Sequence, residues 1–284
     1  MTKEEILERM AKDLETMGRS EETVRNYGMH VRLYQEYHDK SAEEMGEVEI
    51  KSYLHYLLTE KGLSHASVNV QNSSLRYLYG VTLDRVLNLR KIPMLKRIRH
   101  LPDIPSKEEL GYIFYLMKNL KYKALFKTIY GSGLRISEAL NLKVNDIDSK
   151  NMRIMIRSGK GGRDRYALLP ERTLEILRKY SKEFHPKDWL FVDEQGKQIQ
   201  VRAAQDALKS VMKKSGIPKH VTIHTLRHCF ATHLLNEGKN VFQIKRLLGH
   251  VRIDTTTWYL QLSDSDTLKL KSPLDTMKVD DSDD

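Results

Sequence analysis

The sequence has few of the residues that would crosslink a secreted protein or carry a chain across a membrane. It contains one cysteine, Cys229, in 284 residues, which excludes an intramolecular disulfide framework and a zinc site built from cysteines. It has no run of about 18 apolar residues, the length that suggests a membrane-spanning helix. The first residues, MTKEEILERMAKDL, have the pattern of a charged amphipathic helix rather than a signal peptide. We therefore expect a cytoplasmic protein without a membrane partner.

Positive charge is what the sequence has in excess. Forty-eight Lys and Arg residues stand against 38 Asp and Glu residues, which gives a net charge of +10. Four of the acids lie between Asp280 and Asp284, so residues 1–279 carry +14. This excess favours an acidic partner, with DNA or RNA as the leading case, although a merely soluble basic protein is the alternative on charge alone.

Residues 3 to about 80 have the periodicity of α-helices. Their apolar residues recur at helical spacing, with start signals at Ser20 and Ser64 and breaks at Gly46 and Gly80. The pattern predicts a four-helix domain over residues 1–84. Its tyrosines could stack on bases, but tyrosine at this spacing is more typical of a hydrophobic core. The tyrosines concerned are Tyr27, Tyr34, Tyr37, Tyr53, Tyr56, Tyr77 and Tyr79.

A basic segment follows this domain. Periodicity fades and three prolines occur within residues 85–105, which predicts an interdomain linker. A flexible basic linker can follow a phosphate backbone when two domains bind on either side of a duplex; a solvated hinge is the alternative. The candidate DNA-binding residues of the linker are Arg90, Lys91, Lys96, Arg97 and Arg99.

Residues 106–279 predict a second domain that is mainly α-helical. Ser106 and Glu109 have the spacing of a capping box, which marks the start of its first helix. Beyond a central hairpin, the pattern is helical to about Leu262. The acidic residues 280–284 predict a disordered tail.

A β-hairpin is predicted inside this helical domain. MRIMIR (152–157) and DRYALL (164–169) alternate with a period of two residues on either side of SGKGGR. Lys160 lies at the tip of the hairpin. The fold class predicted is therefore mainly α with a small antiparallel β-sheet in the second domain.

The stretch from His224 to Tyr259 carries residue types suited to chemistry on a phosphodiester. His224 and Arg227 are three residues apart on a predicted helix, so they share one face. Gly249 ends the next helix, which places His250 on a turn. Arginine forks and imidazole N–H groups can stabilise charge on phosphate oxygens, and a tyrosine oxygen can attack phosphorus. Taken singly, each of these residues is more often structural.

Together these motifs resemble the tyrosine recombinases, or phage-type integrases, with the Xer-type, integron and transposon-encoded enzymes as the nearest relatives. The resemblance implies a C-shaped clamp of two domains, a helical SAM-like core-binding domain and a tyrosine recombinase catalytic domain. The motifs that carry it are GSGLRISEALNL around Arg135, GKGGRDR with Lys160, HTLRH from His224 to His228, LGH ending at His250, and Tyr259 nine residues further on.

The resemblance implies that Tyr259 is the nucleophile. Its attack on the scissile phosphate would leave a 3′-phosphotyrosyl bond and a free 5′-hydroxyl. The phosphotyrosyl bond would retain the energy of the phosphodiester bond that was cut, so the free 5′-hydroxyl of a partner strand could attack it and reseal the backbone. The resemblance therefore implies neither ATP nor a metal or other cofactor. The sequence agrees, since it has no P-loop and no acidic metal cluster. Many relatives follow the nucleophile with Thr and His, whereas Leu260 and Gln261 follow it here.

Five further residues receive catalytic roles from the resemblance. Arg135 and Arg227 would clamp the non-bridging phosphate oxygens. Lys160 would protonate the leaving 5′-oxygen as a general acid. His224 would assist proton transfer at Tyr259, and His250 would donate to a phosphate oxygen.

Two more residues of these motifs are expected to support the structure rather than to catalyse. Glu138, three residues after Arg135, would hold that arginine or cap the local helix. His228 would hold its helix in place.

The resemblance implies a DNA recombinase that acts on double-stranded DNA as a homotetramer, through a Holliday junction, with a monomer as the free form and no small-molecule substrate. Integration or excision of a mobile element is the first expectation, and Xer-like resolution of chromosome or plasmid dimers is the alternative. The helical insertion of integron integrases and the arm-binding domain of lambda-type integrases are not expected here. A type IB topoisomerase and a non-catalytic DNA-binding protein are the competing functional classes. Residues 263–279 are expected to dock on a neighbouring subunit.

Overall fold

Two compact units, Met1–His100 and Leu101–Asp284, make up the chain. Within the described helices, none combines the length and the apolar character that crossing a membrane demands. The domain limits 1–84, 85–105, 106–279 and 280–284 and the C-shaped clamp stay predictions. The computed structural model describes residues 1–96, 103–157 and 164–249.

The first unit contains the four helices that the sequence predicts. Ser20 and Ser64 cap the second and the fourth, because each hydroxyl accepts a hydrogen bond from a backbone N–H three residues on. The apolar faces meet in one core, in which Ile6 and Val31 are fully buried. The helices are α1 (Lys3–Thr16), α2 (Glu21–His38), α3 (Glu47–Thr59) and α4 (His65–Tyr77).

The predicted end of the fourth helix at Gly80 is wrong. The α-helix ends at Tyr77, and the backbone continues through Gly80 as a wider π-helical turn, Leu78–Thr82. Leu78 and Tyr79 are both fully buried, so the added turn keeps two consecutive side chains in the core. Packing overrides the local preference of glycine here.

Most of the tyrosines of this unit belong to its core, as their spacing predicts. The Tyr34 hydroxyl lies 3.1 Å from that of Tyr79, which donates to the Ala42 carbonyl at 2.9 Å. The Tyr53 hydroxyl donates to Gln71 Oε1 at 3.0 Å. Each buried hydroxyl therefore has a neutral partner. Tyr27, Tyr56 and Tyr77 pack partly buried against the core, whereas Tyr37 is 40% exposed.

The segment 85–96, in the predicted linker, has no helix or strand but is attached to the first unit. Asn69 donates to the Leu95 carbonyl at 2.9 Å and accepts from the Leu95 N–H at 2.8 Å. Asn72 donates to the carbonyl of Ile92, whose side chain is buried. The exposed candidates here are Arg90, Lys91 and Lys96, while Arg97 and Arg99 lie outside the described residues.

The second unit is built of helices around one core. Ser106 and Glu109 form the predicted capping box at its first helix. Helix α10 runs through the core with Leu226 and Cys229 fully buried. Burial raises the pKa of the Cys229 thiol to about 12. The helices are α5 (Lys107–Leu116), α6 (Leu120–Ser132), α7 (Ile136–Leu140), α8 (Glu171–Phe184), α9 (Val201–Ser215), α10 (Ile223–Asn236) and α11 (Val241–Leu248).

The predicted hairpin is confirmed as two strands of a three-stranded antiparallel sheet, in the order β1-β2-β3. Strand β2 is Arg153–Ile156 and strand β3 is Arg165–Leu168, with Ile156 opposite Arg165. Strand β1, Ile147–Asp148, was not predicted, because two residues cannot show alternation. Lys160 lies outside the described residues.

Candidate active site

A sharp turn between α6 and α7 places Arg135. Gly133 ends α6 in the left-handed region, with φ of +64°. A Cβ atom there would lie 2.5 Å from the ring of Phe230, so the turn packs closely against α10 only because the residue is glycine. Arg135 is the N-cap of α7, and its backbone N–H donates to Glu138 Oε2 at 2.9 Å.

Glu138 is shared by three arginines. The Glu138 side chain is 6% exposed. Arg135 Nη1 donates to Oε1 at 2.6 Å, and Arg165 donates through Nη1 and Nη2 to the two oxygens, both at 2.9 Å. Arg227 Nη1 lies 3.5 Å from Oε2. Glu138 thus supports Arg135, as the sequence predicted, but it does so as part of a larger cluster.

Arg165 is a member of this cluster that the sequence analysis did not single out. Its guanidinium forms the bidentate pair with Glu138, and its Nε donates to the Leu247 carbonyl at 3.3 Å. Gly249, with φ of +64°, lies against it, because a Cβ there would be 2.8 Å from Arg165 Cδ. Arg165 and Glu138 are 27 residues apart in sequence, a separation that helical or strand spacing cannot connect.

The cluster keeps its carboxylate ionised and carries excess positive charge. Burial alone would raise the pKa of Glu138, but the hydrogen bonds from Arg165 and from the Arg135 backbone, with the charges of both arginines, lower it to about 2. One negative charge therefore faces three guanidinium groups at neutral pH. Such an arrangement attracts an anion.

Arg227 lies deeper than its position on the predicted helix face suggested. Its side chain is 1% exposed. Its Nη1 donates to the Gly133 carbonyl and its Nη2 to the Leu248 carbonyl, both at 2.7 Å. Arg227 thereby links the turn before α7 to the end of α11. The spacing of His224 and Arg227 predicted a shared face but not the difference in depth, since His224 is exposed.

Two histidine rings are in edge-to-face contact near the start of α10, and both have a lowered pKa, so they are mainly neutral at pH 7. The rings of His224 and His228 are 4.4 Å apart and nearly perpendicular. Partial desolvation and the positive charges of Arg227 and Arg135 lower the pKa of His224. Burial and the neighbouring His224 and Arg227 lower the pKa of His228 to about 4. A neutral imidazole can accept a proton, which a charged one cannot.

The structure therefore brings together three of the six predicted catalytic residues. Arg135 and Arg227 converge on Glu138, and the charges of both arginines act on His224. The other three, Lys160, His250 and Tyr259, lie outside the described residues.

Two family profiles match the chain. The phage integrase family matches residues 106–266, and the N-terminal SAM-like domain of phage integrases matches residues 6–89. The first contains all the residues described in this site. Together the two matches span most of the chain.

Several relatives and solved structures resemble the chain over most of its length. A Sinorhizobium fredii protein, y4qK, whose name assigns it to the integrases and recombinases, is 36% identical over 96% of this chain and 89% of its own length. The tyrosine recombinase XerD of Oceanobacillus iheyensis is 31% identical over 87% of this chain and 89% of its own. The crystal structure of XerA recombinase covers 93% of this chain and 95% of its own, with 28% identity and a TM-score of 0.55. A lambda integrase dimer bound to a core site, at 17% identity and a TM-score of 0.74, covers 90% of this chain and 97% of its own and shares the fold.

Proposed function

We propose a catalytic assignment for this chain, which belongs to the phage integrase family of tyrosine recombinases. The protein is a site-specific recombinase that cleaves and rejoins DNA. In the proposed assignment Tyr259 attacks the scissile phosphate, the bond from phosphorus to the 5′-oxygen breaks, and a 3′-phosphotyrosyl link forms. The observation that carries the assignment is the convergence of Arg135, Arg165 and Arg227 on the buried Glu138.

The arginine cluster supports a site for the scissile phosphate. Negative charge grows on the non-bridging oxygens as the tyrosine attacks, and fixed guanidinium forks stabilise it better than a mobile lysine does. The Arg135 side chain is 23% exposed, so it meets the phosphate first. Arg227, whose side chain is 1% exposed, lies deeper and in this assignment contributes its positive charge to the same phosphate site.

Proton transfer in this assignment falls to residues around the arginines. His224 is exposed and its pKa is lowered, so it is neutral at pH 7 and can take the proton of the Tyr259 hydroxyl. Lys160 protonates the leaving 5′-oxygen, and His250 donates to a phosphate oxygen. Neither a metal nor another cofactor enters this scheme.

The partner is double-stranded DNA, and the solved recombinases that share the fold include several bound to DNA. We extend the proposal to a homotetramer that exchanges strands through a Holliday junction in the cytoplasm. The exposed Arg90, Lys91 and Lys96 supply contacts to the phosphate backbone. With the predicted domain limits, residues 1–84 and 106–279 act on the duplex as the two halves of a clamp.

The biological role we propose is integration or excision of a mobile element. The name of the Sinorhizobium relative, which is more similar in sequence than the Xer proteins cited above, supports this choice. Xer-like resolution of replicon dimers is the second candidate, because Xer recombinases match 87% or more of the chain at about one-third identity.

The test is a covalent trap. A duplex that binds the full chain is first selected from a random pool, and a nick is then moved one nucleotide at a time across the selected sequence. A nick close to the cleaved bond lets the short leaving strand diffuse away, so the protein remains attached to DNA. The attached residue is mapped by peptide mass. We expect Tyr259 to carry the DNA.

Two controls make the test decisive. Tyr259→Phe should abolish the covalent product while DNA binding persists, whereas Tyr166→Phe, which removes an exposed hydroxyl of β3, should leave the product unchanged. No adduct at any nick position, or attachment through a different residue, contradicts the assignment. Turnover on a supercoiled plasmid without the selected sequence would instead favour a type IB topoisomerase.

A further inference from the structure

We propose that Arg165 is a positioning residue for DNA cleavage, which shares Glu138 with Arg135 and so keeps the Arg135 guanidinium available to the scissile phosphate. This inference rests on the proposed function, because it assigns Arg135 to the phosphate. Arg165 itself needs no contact with DNA in this role. It acts through the carboxylate that both arginines bind.

Arg135 and Arg165 compete for hydrogen bonds to the Glu138 carboxylate, and Arg165 limits how many of them Arg135 forms. A carboxylate binds one guanidinium best through two parallel hydrogen bonds, and Arg165 forms that arrangement with both contacts at 2.9 Å. Arg135 therefore reaches Oε1 through Nη1 alone among its side-chain nitrogens. Without Arg165, Glu138 would be open to a bidentate pair with Arg135. The guanidinium would then turn away from the phosphate and towards the protein.

Arg165 also fixes the end of α11. Its Nε donates to the Leu247 carbonyl at 3.3 Å, and its Cδ and Nε fill the space where a Cβ of Gly249 would lie. Residue 250, the predicted phosphate donor, follows directly in sequence. The Arg165 side chain thus binds Glu138 of α7, the helix that begins next to Arg135. It also contacts Gly249, the residue before His250.

The place of Arg165 in the sheet adds a third connection. It opens β3, directly opposite Ile156 of β2, and comes five residues after Lys160 in sequence. One guanidinium therefore joins the hairpin, α7 and α11. Its side chain is 13% exposed, so the protein holds it in place rather than leaving it to solvent. A side chain so placed is suited to setting the relative positions of catalytic groups.

The experiment measures single-turnover cleavage of the nicked duplex at saturating protein, together with DNA affinity and thermal unfolding. We expect Arg165→Ala to lower the cleavage rate about 10- to 100-fold, the range that a displacement of about 1 Å can cause, with DNA affinity nearly unchanged. Arg165→Lys should fall between that variant and the parent, because it keeps the charge without the fork. Arg153→Ala is the matched control, since Arg153 forms an ion pair with Asp148 at 2.8 Å in the same sheet, away from Glu138.

A second substrate separates positioning from general loss of structure. In this duplex a methyl group replaces one non-bridging oxygen of the scissile phosphate, which removes the charge that Arg135 is proposed to stabilise. If Arg165 acts through Arg135, its loss should matter much less on the methylated substrate. We expect the deficit of Arg165→Ala and of Arg165→Lys to shrink at least several-fold, in parallel with that of Arg135→Ala.

The outcomes are separable. An equal deficit of the two Arg165 variants on both substrates, or no deficit on the charged one, overturns the positioning role while the proposed function stands. If Arg165→Ala fails to fold, the comparison is decided with Arg165→Lys, which retains a cation at Glu138. Failure of the parent protein to form any covalent product overturns the proposed function itself.

Discussion

The two units bury polar groups in different ways. In the first, the buried partners are neutral: Tyr34 pairs with Tyr79, and Tyr53 donates to Gln71. In the second, a carboxylate and guanidinium groups are buried together around Glu138. A buried charge costs desolvation that its partner only partly offsets, so ion pairs are weak evidence for stability. The second unit therefore retains charge in its interior, where the proposed catalytic assignment gives the cluster at Glu138 a role, whereas the first unit uses neutral hydroxyls for packing.

Of the changes that test this difference between the units, Glu138→Gln should cause the largest loss of stability. The change leaves Arg135, Arg165 and Arg227 without their shared negative charge, so we expect the free energy of unfolding of the second unit to fall by about 3–5 kcal/mol. Chemical denaturation measures it. Asp148→Asn is the control, since it removes a carboxylate that pairs with Arg153 near the surface, where solvent screens the charges, and it should cost far less. Similar losses from both changes would mean that the buried cluster is not special.

A smaller but still large effect is expected from Gly133→Ala. The new Cβ would lie 2.5 Å from the Phe230 ring on a backbone with φ of +64°, so we expect a loss of about 1–3 kcal/mol from overpacking, with added backbone strain. Gly28 provides the comparison in the first unit, because it lies within α2 with no atom within 4 Å of its Cβ position. Gly28→Ala should stabilise that unit by about 0.5–1 kcal/mol. If Gly133→Ala left the free energy of unfolding unchanged, α10 and the turn before α7 could move apart at little energetic cost.

The pH dependence of stability should report on the partly buried imidazole of His228 in the second unit. His228 has its pKa lowered to about 4 by burial and positive neighbours, against 6.5 in the unfolded chain. Between these values the unfolded state binds more protons, so the stability of the second unit falls as the pH drops from 6.5 towards 4. We expect His228→Gln to reduce this slope in unfolding measured at stepped pH. An unchanged slope would assign the effect to other groups.

The smallest effect should follow from Tyr34→Phe. The change removes one hydroxyl that bonds to Tyr79, while Tyr79 keeps its bond to the Ala42 carbonyl. We expect a loss of about 0.5–1.5 kcal/mol and no change in the rate of DNA cleavage at saturating protein. A large loss of cleavage would mean that the tyrosine core of the first unit does more than pack.

Local signals predicted much of the fold. The caps at Ser20, Ser64 and Ser106 and the alternation around the hairpin mark features that depend on neighbouring residues, so the sequence shows them directly. The prediction that Gly80 ends the fourth helix was wrong, because burial of Leu78 and Tyr79 outweighs the weak helical preference of glycine. Helix ends that are decided by tertiary packing are not visible in a local pattern.

The site was predictable in its residue types but not in its connections. The motifs brought out Arg135, His224 and Arg227, and Glu138 was expected to support its neighbouring arginine. Helical spacing indicates which face a residue shares, but not that Arg227 is 1% exposed and bonded to two carbonyls. Arg165 was missed because its partner lies on a distant element. A basic residue that opens a strand beside a candidate lysine is the signal that could have directed attention to it.

The single buried thiol in α10 can serve as a built-in probe of local unfolding in the second unit. Cys229 is fully buried and its pKa is raised to about 12, so a thiol reagent in solution finds almost no thiolate to attack while the second unit is folded. Since the chain has no other cysteine, the rate at which a thiol reagent labels the unmodified protein reports how readily α10 opens to solvent. The rate of labelling with and without DNA would therefore measure how far substrate restrains the interior of the unit that cuts it.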